Sequence, residues 1–369
     1  MSFYALVEQY GDFDFPRFFD GVTGDTVERS LAKDKLSPTD FLNLLSPKAA
    51  EYLEPMAQKA HRLTVQYFGR TIQLFIPLYL SNHCANQCAY CGFNRKNDII
   101  RRSLSLQEIE AEARAIAITG MRHVLFLTGE SPHHTPKEYL IEAAECLKRH
   151  FASVSIEIFP MDETDYRSLQ QAGVDGMTLF QETYDREMYR RVHLAGRKTD
   201  YRYRLDAPER GARAGFRMIN IGALLGLSEP RREIFHTGLH GSYLEDKYLE
   251  TEVSISLPRF NAAEGSFQPD YRVDDKSFVQ FMTALRLFLP KVGITISTRE
   301  NARFRDRLLN LGATRFSAGS CTGVGGYTEI KMQQSPQFEI TDTRGVDEVA
   351  AAIVAGGYQP VYKDWDAII

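Results

Sequence analysis

Three cysteines in one short stretch, Cys84, Cys88 and Cys91 in CANQCAYCGF, are the residues whose type and spacing speak most directly of chemistry. Steps of four and three residues let three thiolates converge from one loop onto one face of a metal centre. Iron–sulfur clusters are held by cysteine thiolates; four would saturate a cubane cluster, whereas three leave one iron open to an exogenous ligand. Reactivity would reside at that open corner. A structural zinc loop with His83 as fourth ligand, or three unpaired thiols, are competing readings of the same residues. Zinc loops usually answer a CxxC pair with a second pair far along the chain, and the sequence has none.

The composition narrows the setting. With 369 residues, 43% hydrophobic and 25% charged, the chain is ordinary for a globular protein. Its net charge of −4, with Lys and Arg scattered, gives no footprint for nucleic acid. The opening MSFYALVEQYGDFDF lacks the basic start and apolar core of a signal peptide. The longest apolar runs, such as 74–80 with Pro77 inside it, fall short of a membrane span. Cys146 and Cys321 follow no pattern, so a disulfide framework is not expected. These features predict a cytoplasmic protein that engages neither nucleic acid nor membrane.

The cysteines need a scaffold, and the periodicity supplies one. Residues 1–70 show no strand-like alternation. Ser37-Pro38 and Ser46-Pro47 each resemble an N-cap with Pro at the first helical position, which predicts a helical extension packed on the main domain. From Thr71 strands and helices alternate. Strands are expected at 71–80, 123–127, 154–159, 176–180, 217–221, 252–257, 293–297 and 314–317. Helices are expected between them, among them one from Ser105-x-x-Glu108, one opened by Thr135-Pro136, one over about 203–214 and one from Asp274. Eight strands in about 250 residues match an α/β fold of the (β/α)8 type, a TIM-like barrel. An open doubly wound sheet or a six-strand partial barrel are the alternatives. The predicted division is a helical extension at 1–70, the barrel at 71–320, and a C-terminal extension at 321–369 carrying a Gly-rich loop and a helix near 346–355.

In such barrels reactive groups sit at the carboxyl ends of strands. Those positions hold the cysteines, then Thr128-Gly129-Glu130, Glu157, Gln181-Glu182-Thr183, Gly222 to Glu229, Ser297-Thr-Arg299-Glu300 and Ser317-Ala-Gly-Ser320. No comparable run of chargeable groups is expected at the opposite ends.

The CxxxCxxC spacing, with Tyr90 just before the last cysteine, resembles the radical S-adenosylmethionine (SAM) enzymes. Thr128-Gly129-Glu130 resembles their GGE motif, with Thr in place of the first Gly. Gly222-x-Leu224-x-Gly226-x-x-Glu229 resembles the GxIxGxxE motif that packs on adenine. The resemblance implies a [4Fe–4S] cluster on Cys84, Cys88 and Cys91. It places SAM against Tyr90, Gly129, Glu130, Glu157, Glu182, Arg204, Gly222, Leu224 and Gly226. Arg204 is similar to an arginine that pairs with the SAM carboxylate.

Further stretches, SIEIFPM, LFQETYDREMY, HLAGRKTDY, LLGLSEPRRE, ISTRE, SAGSCTGVGGY and the terminal YKDW, resemble the aromatic amino-acid lyase branch of that superfamily over essentially the whole chain. Within it the match is to the tyrosine lyases of thiamin biosynthesis. The absence of any cysteine after Cys321 favours these over the tyrosine lyases that mature iron-only hydrogenase. The implied reaction abstracts a hydrogen atom from L-tyrosine with the 5′-deoxyadenosyl radical. It then breaks the Cα–Cβ bond, giving 2-iminoacetate and p-cresol. Implied partners are an electron donor such as flavodoxin or ferredoxin, and thiazole synthase as acceptor of the reactive imine. A zwitterionic substrate needs a fixed cation for its carboxylate, and Arg299 is the candidate, with Ser317 and Ser320 as neighbouring donors and Tyr327 lining the pocket. A radical SAM lyase acting on tryptophan or another amino acid, or a non-catalytic metal-bound partner of thiazole synthase, are the rival readings. What contacts the phenol is not visible in the sequence.

Overall fold

The computed structural model describes residues 2–328, 335–363 and 365. Eight parallel strands close into a barrel: β1 (Thr71–Ser81), β2 (His123–Thr128), β3 (Ser153–Glu157), β4 (Gly176–Glu182), β5 (Met218–Ala223), β6 (Glu252–Ser256), β7 (Gly293–Ile296) and β8 (Arg315–Ser317). Closure is made by β1, which pairs with β2 through Ile76↔Val124 and with β8 through Leu74↔Phe316. That double pairing excludes both the open sheet and the six-strand partial barrel. Each strand lies within two residues of its expected bounds, because Gly and polar punctuation brackets every apolar run. Asp364 of the YKDW stretch lies outside the described residues.

Two expectations are corrected. The helix over 203–214 is two helices, Tyr201–Leu205 and Ala207–Arg213, interrupted at Asp206. Pro208 fits only the first turn of the second, since it offers no N–H and fixes its own φ. Thr135 does not cap the helix Lys137–Lys148; its hydroxyl donates to the Ser131 carbonyl (3.1 Å). A ninth strand, β9 (Gln359–Val361), was not anticipated. It pairs in parallel with the start of β1 through Thr71↔Gln359 and follows the helix Val346–Ala355.

The N-terminal helices are packed on the barrel's outer layer. Ser37 closes a capping box with Asp40 at the start of the helix Pro38–Leu45. Phe41 of that helix stacks on Phe288 (centroids 4.5 Å apart) in the helix Asp275–Phe288. Gln280 of the same helix donates to the Leu44 and Ser46 carbonyls (2.9 and 2.8 Å).

Inside the barrel, alternate residues of each strand face one cavity, as the two-residue period of a strand requires. Phe75, Pro77 and Tyr79 of β1, Leu125 and Leu127 of β2, and Thr178 and Phe180 of β4 are examples. At the amino-terminal ends a charged side chain is buried. Arg315 donates to His123 Nδ1 (3.1 Å), and His123 Nε2 meets Ser155 Oγ (3.0 Å).

Candidate active site

The loop after β1 carries the cysteines and is sewn to its surroundings by backbone hydrogen bonds. Ala85 N–H donates to the Glu130 carbonyl (2.8 Å), and Gln87 and Ala89 N–H donate to Ala195 and Val192 (3.0 and 2.8 Å). Tyr90 OH lies 2.8 Å from His193 Nε2, and His193 Nδ1 lies 2.9 Å from the Tyr189 carbonyl. A carbonyl only accepts, so Nδ1 carries the proton. Burial first, then Lys198 and Arg204, push the imidazole down to about 2. It is therefore neutral, and Nε2 accepts from Tyr90. This bond fixes the residue before Cys91.

All three cysteines are unpaired and line one cavity together with Asn86, Thr128, Gly129, Glu130, Glu157, Glu182, Lys198, Arg204 and Gln337. Burial pushes the Cys88 thiol well up, and burial with Cys84 nearby raises Cys91. Without a metal these sulfurs hold their protons, and coordination would release them. Among the described residues no three His, Cys, Asp or Glu side chains close on a single ion. The donor set suits a cluster instead, where each thiolate takes its own iron. His83 does not complete a zinc site, for its ring stacks on His134 (3.8 Å) outside the cavity.

The rest of this cavity is built for a zwitterion. Glu182 is the only non-glycine at positive φ (73°) among the described residues, at an irregularity where β4 pairs with β5. Strain of this kind concentrates at functional sites. Its carboxylate accepts from Lys198 Nζ (2.6 Å) and stands 3.5 Å from Arg204 Nη2. Burial would raise it, yet Lys198 and Arg204 hold it below the usual range. Asn86 Nδ2 donates to Glu130 Oε2 (2.6 Å), and Thr128 Oγ1 is buried without a hydrogen-bond partner among the described residues. Cations, carboxylates and an unmatched hydroxyl thus meet beside the three sulfurs, which fits SAM with its carboxylate and ammonium groups.

Gly129 is where this wall comes closest to the cysteines. A Cβ there would stand 2.3 Å from the His83 carbonyl oxygen and 3.2 Å from Cys84 Cβ. Gly129→Ala is therefore expected to displace the cysteine loop. Iron bound per chain after anaerobic reconstitution should fall well below wild type while far-ultraviolet circular dichroism is unchanged. Full iron loading in the variant would refute the close approach.

The glycines of the adenine-like motif serve differently. A Cβ on Gly222 would lie 2.6 Å from the Ser256 carbonyl, so β5–β6 packing demands glycine there, and Gly226 has φ 126°. Neither lines the cysteine cavity or the space beside it, which Leu224 lines with Tyr90 and Glu182. Glu229 caps the helix Pro230–Lys247.

The second cavity occupies the barrel interior. Arg299, Ser317 and Ser320 line it, as do Glu157 and Tyr79, which also face the cysteines. Arg299 has no carboxylate partner among the described residues. Glu300, next to it, is taken by Arg259 (Nε to Oε1, 2.9 Å). The Arg299 guanidinium lies 3.4 Å from the Phe338 ring centroid. Burial lowers its pKa, although Tyr79, Glu182 and Glu157 act in the other direction. Ser320 Oγ is buried without a partner among the described residues, while Ser317 Oγ accepts from Thr298 N–H (3.1 Å). Tyr327 does not line the cavity. Its hydroxyl donates to the Pro77 carbonyl and accepts from Cys321 N–H (3.1 Å), so it anchors the loop that carries Ser320.

Glu157 stands at the junction of the two cavities. Burial, then the Glu182 carboxylate, push its carboxyl up to about 7, against Arg299, Arg204 and Lys198.

Sequence reasoning missed Asn86, Lys198, Gln337 and Phe338. Lys198 follows Arg197 in a stretch that reads as a solvated charge pair. Gln337 donates to Cys91 Sγ (3.8 Å) and accepts from Tyr79 OH (2.7 Å), from a segment without periodicity.

Residues 78–237 match the family model for the radical SAM superfamily, and residues 256–359 match the Biotin and Thiamin Synthesis associated domain. The chain is 41% identical to 2-iminoacetate synthase of Escherichia coli (strain K12), covering 95% of this chain and 93% of that one. The [FeFe]-hydrogenase maturase HydG from Carboxydothermus hydrogenoformans superposes with a TM-score of 0.85 at 32% identity, over 98% of this chain and 83% of that one. Methylornithine synthase (PylB) shares the fold, with a TM-score of 0.71 at 23% identity over 91% of this chain and 97% of that one. The fold, the three sulfurs on one cavity and these similarities agree: the chain belongs to the radical SAM superfamily, in the family of the 2-iminoacetate synthases.

Proposed function

We propose that this protein cleaves the Cα–Cβ bond of L-tyrosine to 2-iminoacetate and p-cresol, with SAM converted to methionine and 5′-deoxyadenosine. The observation that carries this reading is the pairing of cavities. A three-cysteine cavity adjoins, through Glu157 and Tyr79, an interior pocket whose mouth holds a guanidinium without a carboxylate partner among the described residues. The atoms balance: tyrosine equals 2-iminoacetate plus p-cresol. One electron cleaves the sulfonium, and a further electron and a proton complete p-cresol.

Cys84, Cys88 and Cys91 would hold a [4Fe–4S] cluster, with Lys198, Arg204, Glu130 and the unmatched Thr128 hydroxyl available to SAM. When bound, cluster and SAM together supply the means to remove a hydrogen atom from the substrate. The chain's own work is placement and exclusion of water. Arg299 holds the substrate carboxylate, and Ser320, whose hydroxyl has no partner among the described residues, lines the same cavity. Glu157, poised near neutrality, takes a proton from the substrate ammonium and turns the amino end towards the cysteines. Apolar walls from Phe75, Leu125, Leu127 and Phe180 receive the ring.

The electrons come from a small carrier such as flavodoxin or ferredoxin. An imine that hydrolyses in water favours direct hand-over to thiazole synthase in the cytoplasm. Among the described residues no helix is long and apolar enough to cross a membrane. Anaerobic incubation of reconstituted protein with SAM, a low-potential reductant and tyrosine, followed by chromatography, tests the reading. Equimolar p-cresol and 5′-deoxyadenosine are expected; deoxyadenosine without p-cresol would discard tyrosine as substrate.

A further inference from the structure

The interior cavity has a floor that the groups at its mouth leave unexplained. Asn220, Thr178, Ser256 and Thr295 come from four neighbouring strands, β4 to β7, and all line the cavity that Arg299 overlooks. Buried polar side chains at the centre of a barrel are costly unless every group is matched.

Most of them are. Asn220 Nδ2 donates to Ser256 Oγ (2.9 Å) and Thr178 Oγ1 (3.2 Å), and its Oδ1 accepts from Ser254 Oγ (2.9 Å). The amide is fully engaged and locked. It also decides how Thr178 behaves: the threonine oxygen accepts from Asn220, so its own proton is left to a further acceptor. Thr295 breaks the pattern. It is 6% exposed, and its Oγ1 has no hydrogen-bond partner among the described residues. A hydroxyl in that condition at the foot of a cavity points to a ligand.

The dimensions and chemistry of the space name the ligand's end group. Thr295 lies on β7 two residues before Ser297, which directly follows the strand, about 7 Å at ~3.3 Å per residue. That depth is comparable to the reach of a tyrosine from Cα to its phenol oxygen. Between mouth and floor the walls are Phe75, Leu125, Leu127, Phe180 and Pro258, which suit an aromatic ring. A molecule filling this space is an anion at the mouth, flat and apolar in the middle, and hydroxylated at the bottom.

We infer that Thr295, with Thr178 oriented by Asn220, binds the phenol hydroxyl of the substrate and separates tyrosine from phenylalanine. The inference rests on the proposed reaction and assigns the part of the pocket that sets its selectivity. Thr295 accepts or donates to the phenol oxygen, and the Thr178 proton supplies the complementary bond. The phenol then lies at the far end from the cysteines, and the amino group lies beside Glu157. A ligand that lacks the hydroxyl leaves these groups unmatched, which is how polar pockets reject deoxy analogues.

The test uses reconstituted wild type, Thr295→Val and Thr295→Ser. Binding of tyrosine and of phenylalanine is measured by anaerobic equilibrium dialysis in the presence of SAM, without reductant, so that no turnover intervenes. p-Cresol is measured separately after reduction. Wild type is expected to prefer tyrosine by about tenfold or more. Thr295→Val should lose most of that preference by weakening tyrosine alone, and Thr295→Ser should restore it. Because valine keeps the shape and removes an unmatched hydroxyl, the variant should fold as wild type does, which circular dichroism checks. A valine variant that keeps the preference, or weakens both amino acids equally, overturns the assignment. Wild type that forms no p-cresol overturns the tyrosine reading itself, a failure visible before any variant is compared.

Discussion

Cys88→Ala yields a folded barrel that makes no 5′-deoxyadenosine. Cys88 is the least exposed residue of the three cysteines, and its backbone bridges to His193. That bridge and the Ala89–Val192 hydrogen bond hold the loop whatever the side chain is, so removal of the thiol should not unfold it. What disappears is one of three ligands on a centre that has no fourth cysteine to spare. Structural metal sites lose most of their affinity when a ligand is deleted. Iron per chain and the brown absorbance should collapse, and SAM cleavage should fall by ~10³-fold or more, since the chemistry belongs to the bound group. Cys84→Ala and Cys91→Ala should behave alike. Cys146→Ser is the control: its thiol donates to Glu110 (3.3 Å) on the barrel's outer layer. It should keep wild-type iron and turnover. A Cys88→Ala protein with full iron and activity would end the cluster assignment.

The second large effect is expected at Arg299. Arg299→Ala should lower kcat/KM for tyrosine by ~10²-fold or more, the scale for truncating one partner of a desolvated charge pair. SAM binding should be unchanged, because Lys198 and Arg204 serve the neighbouring cavity. Among the described residues the nearby cations are already paired, Lys198 with Glu182 (2.6 Å). Arg259 is occupied by Glu300 (2.9 Å) and Asp275 (2.8 Å). The Arg299 backbone is pinned by Asn261 and Thr341, which donate to its carbonyl (3.1 and 2.6 Å), so the variant should differ only in its side chain. Arg299→Lys should recover part of the loss, limited because a lysine offers a point charge where the guanidinium offers a fork. Equal affinity of wild type and Arg299→Ala for tyrosine would remove the carboxylate clamp from the mechanism.

How far the sequence discloses all this depends on the kind of signal each part leaves. The eight strands were legible because each is an apolar run bracketed by punctuation. The placement of the cysteines and Arg299 on the cavities was legible because they follow strand ends, where a barrel concentrates its chemistry. Lys198 was hidden because only tertiary contact with Glu182 distinguishes it from the exposed Arg197 beside it. The floor was hidden because Asn220 and Thr295 interrupt strands that otherwise read as ordinary core, and their convergence needs closure of the barrel. Tyr327, in the glycine-rich loop, is a pocket candidate from the sequence. In the fold its hydroxyl ties that loop to the Pro77 carbonyl. Gln337 and Phe338 follow no period, and nothing in their spacing refers to cysteines some 246 residues earlier.

Those last two residues carry a consequence of their own. Gln337 reaches the Cys91 sulfur and Tyr79 and accepts from Gly92 N–H (3.0 Å), while Phe338 covers the Arg299 guanidinium. One short strap thus supplies a wall residue to each chamber. Because the two residues are adjacent, a displacement of this stretch would disturb the surroundings of Cys91 and uncover Arg299 together. The ribosome delivers that strap only after all eight barrel strands.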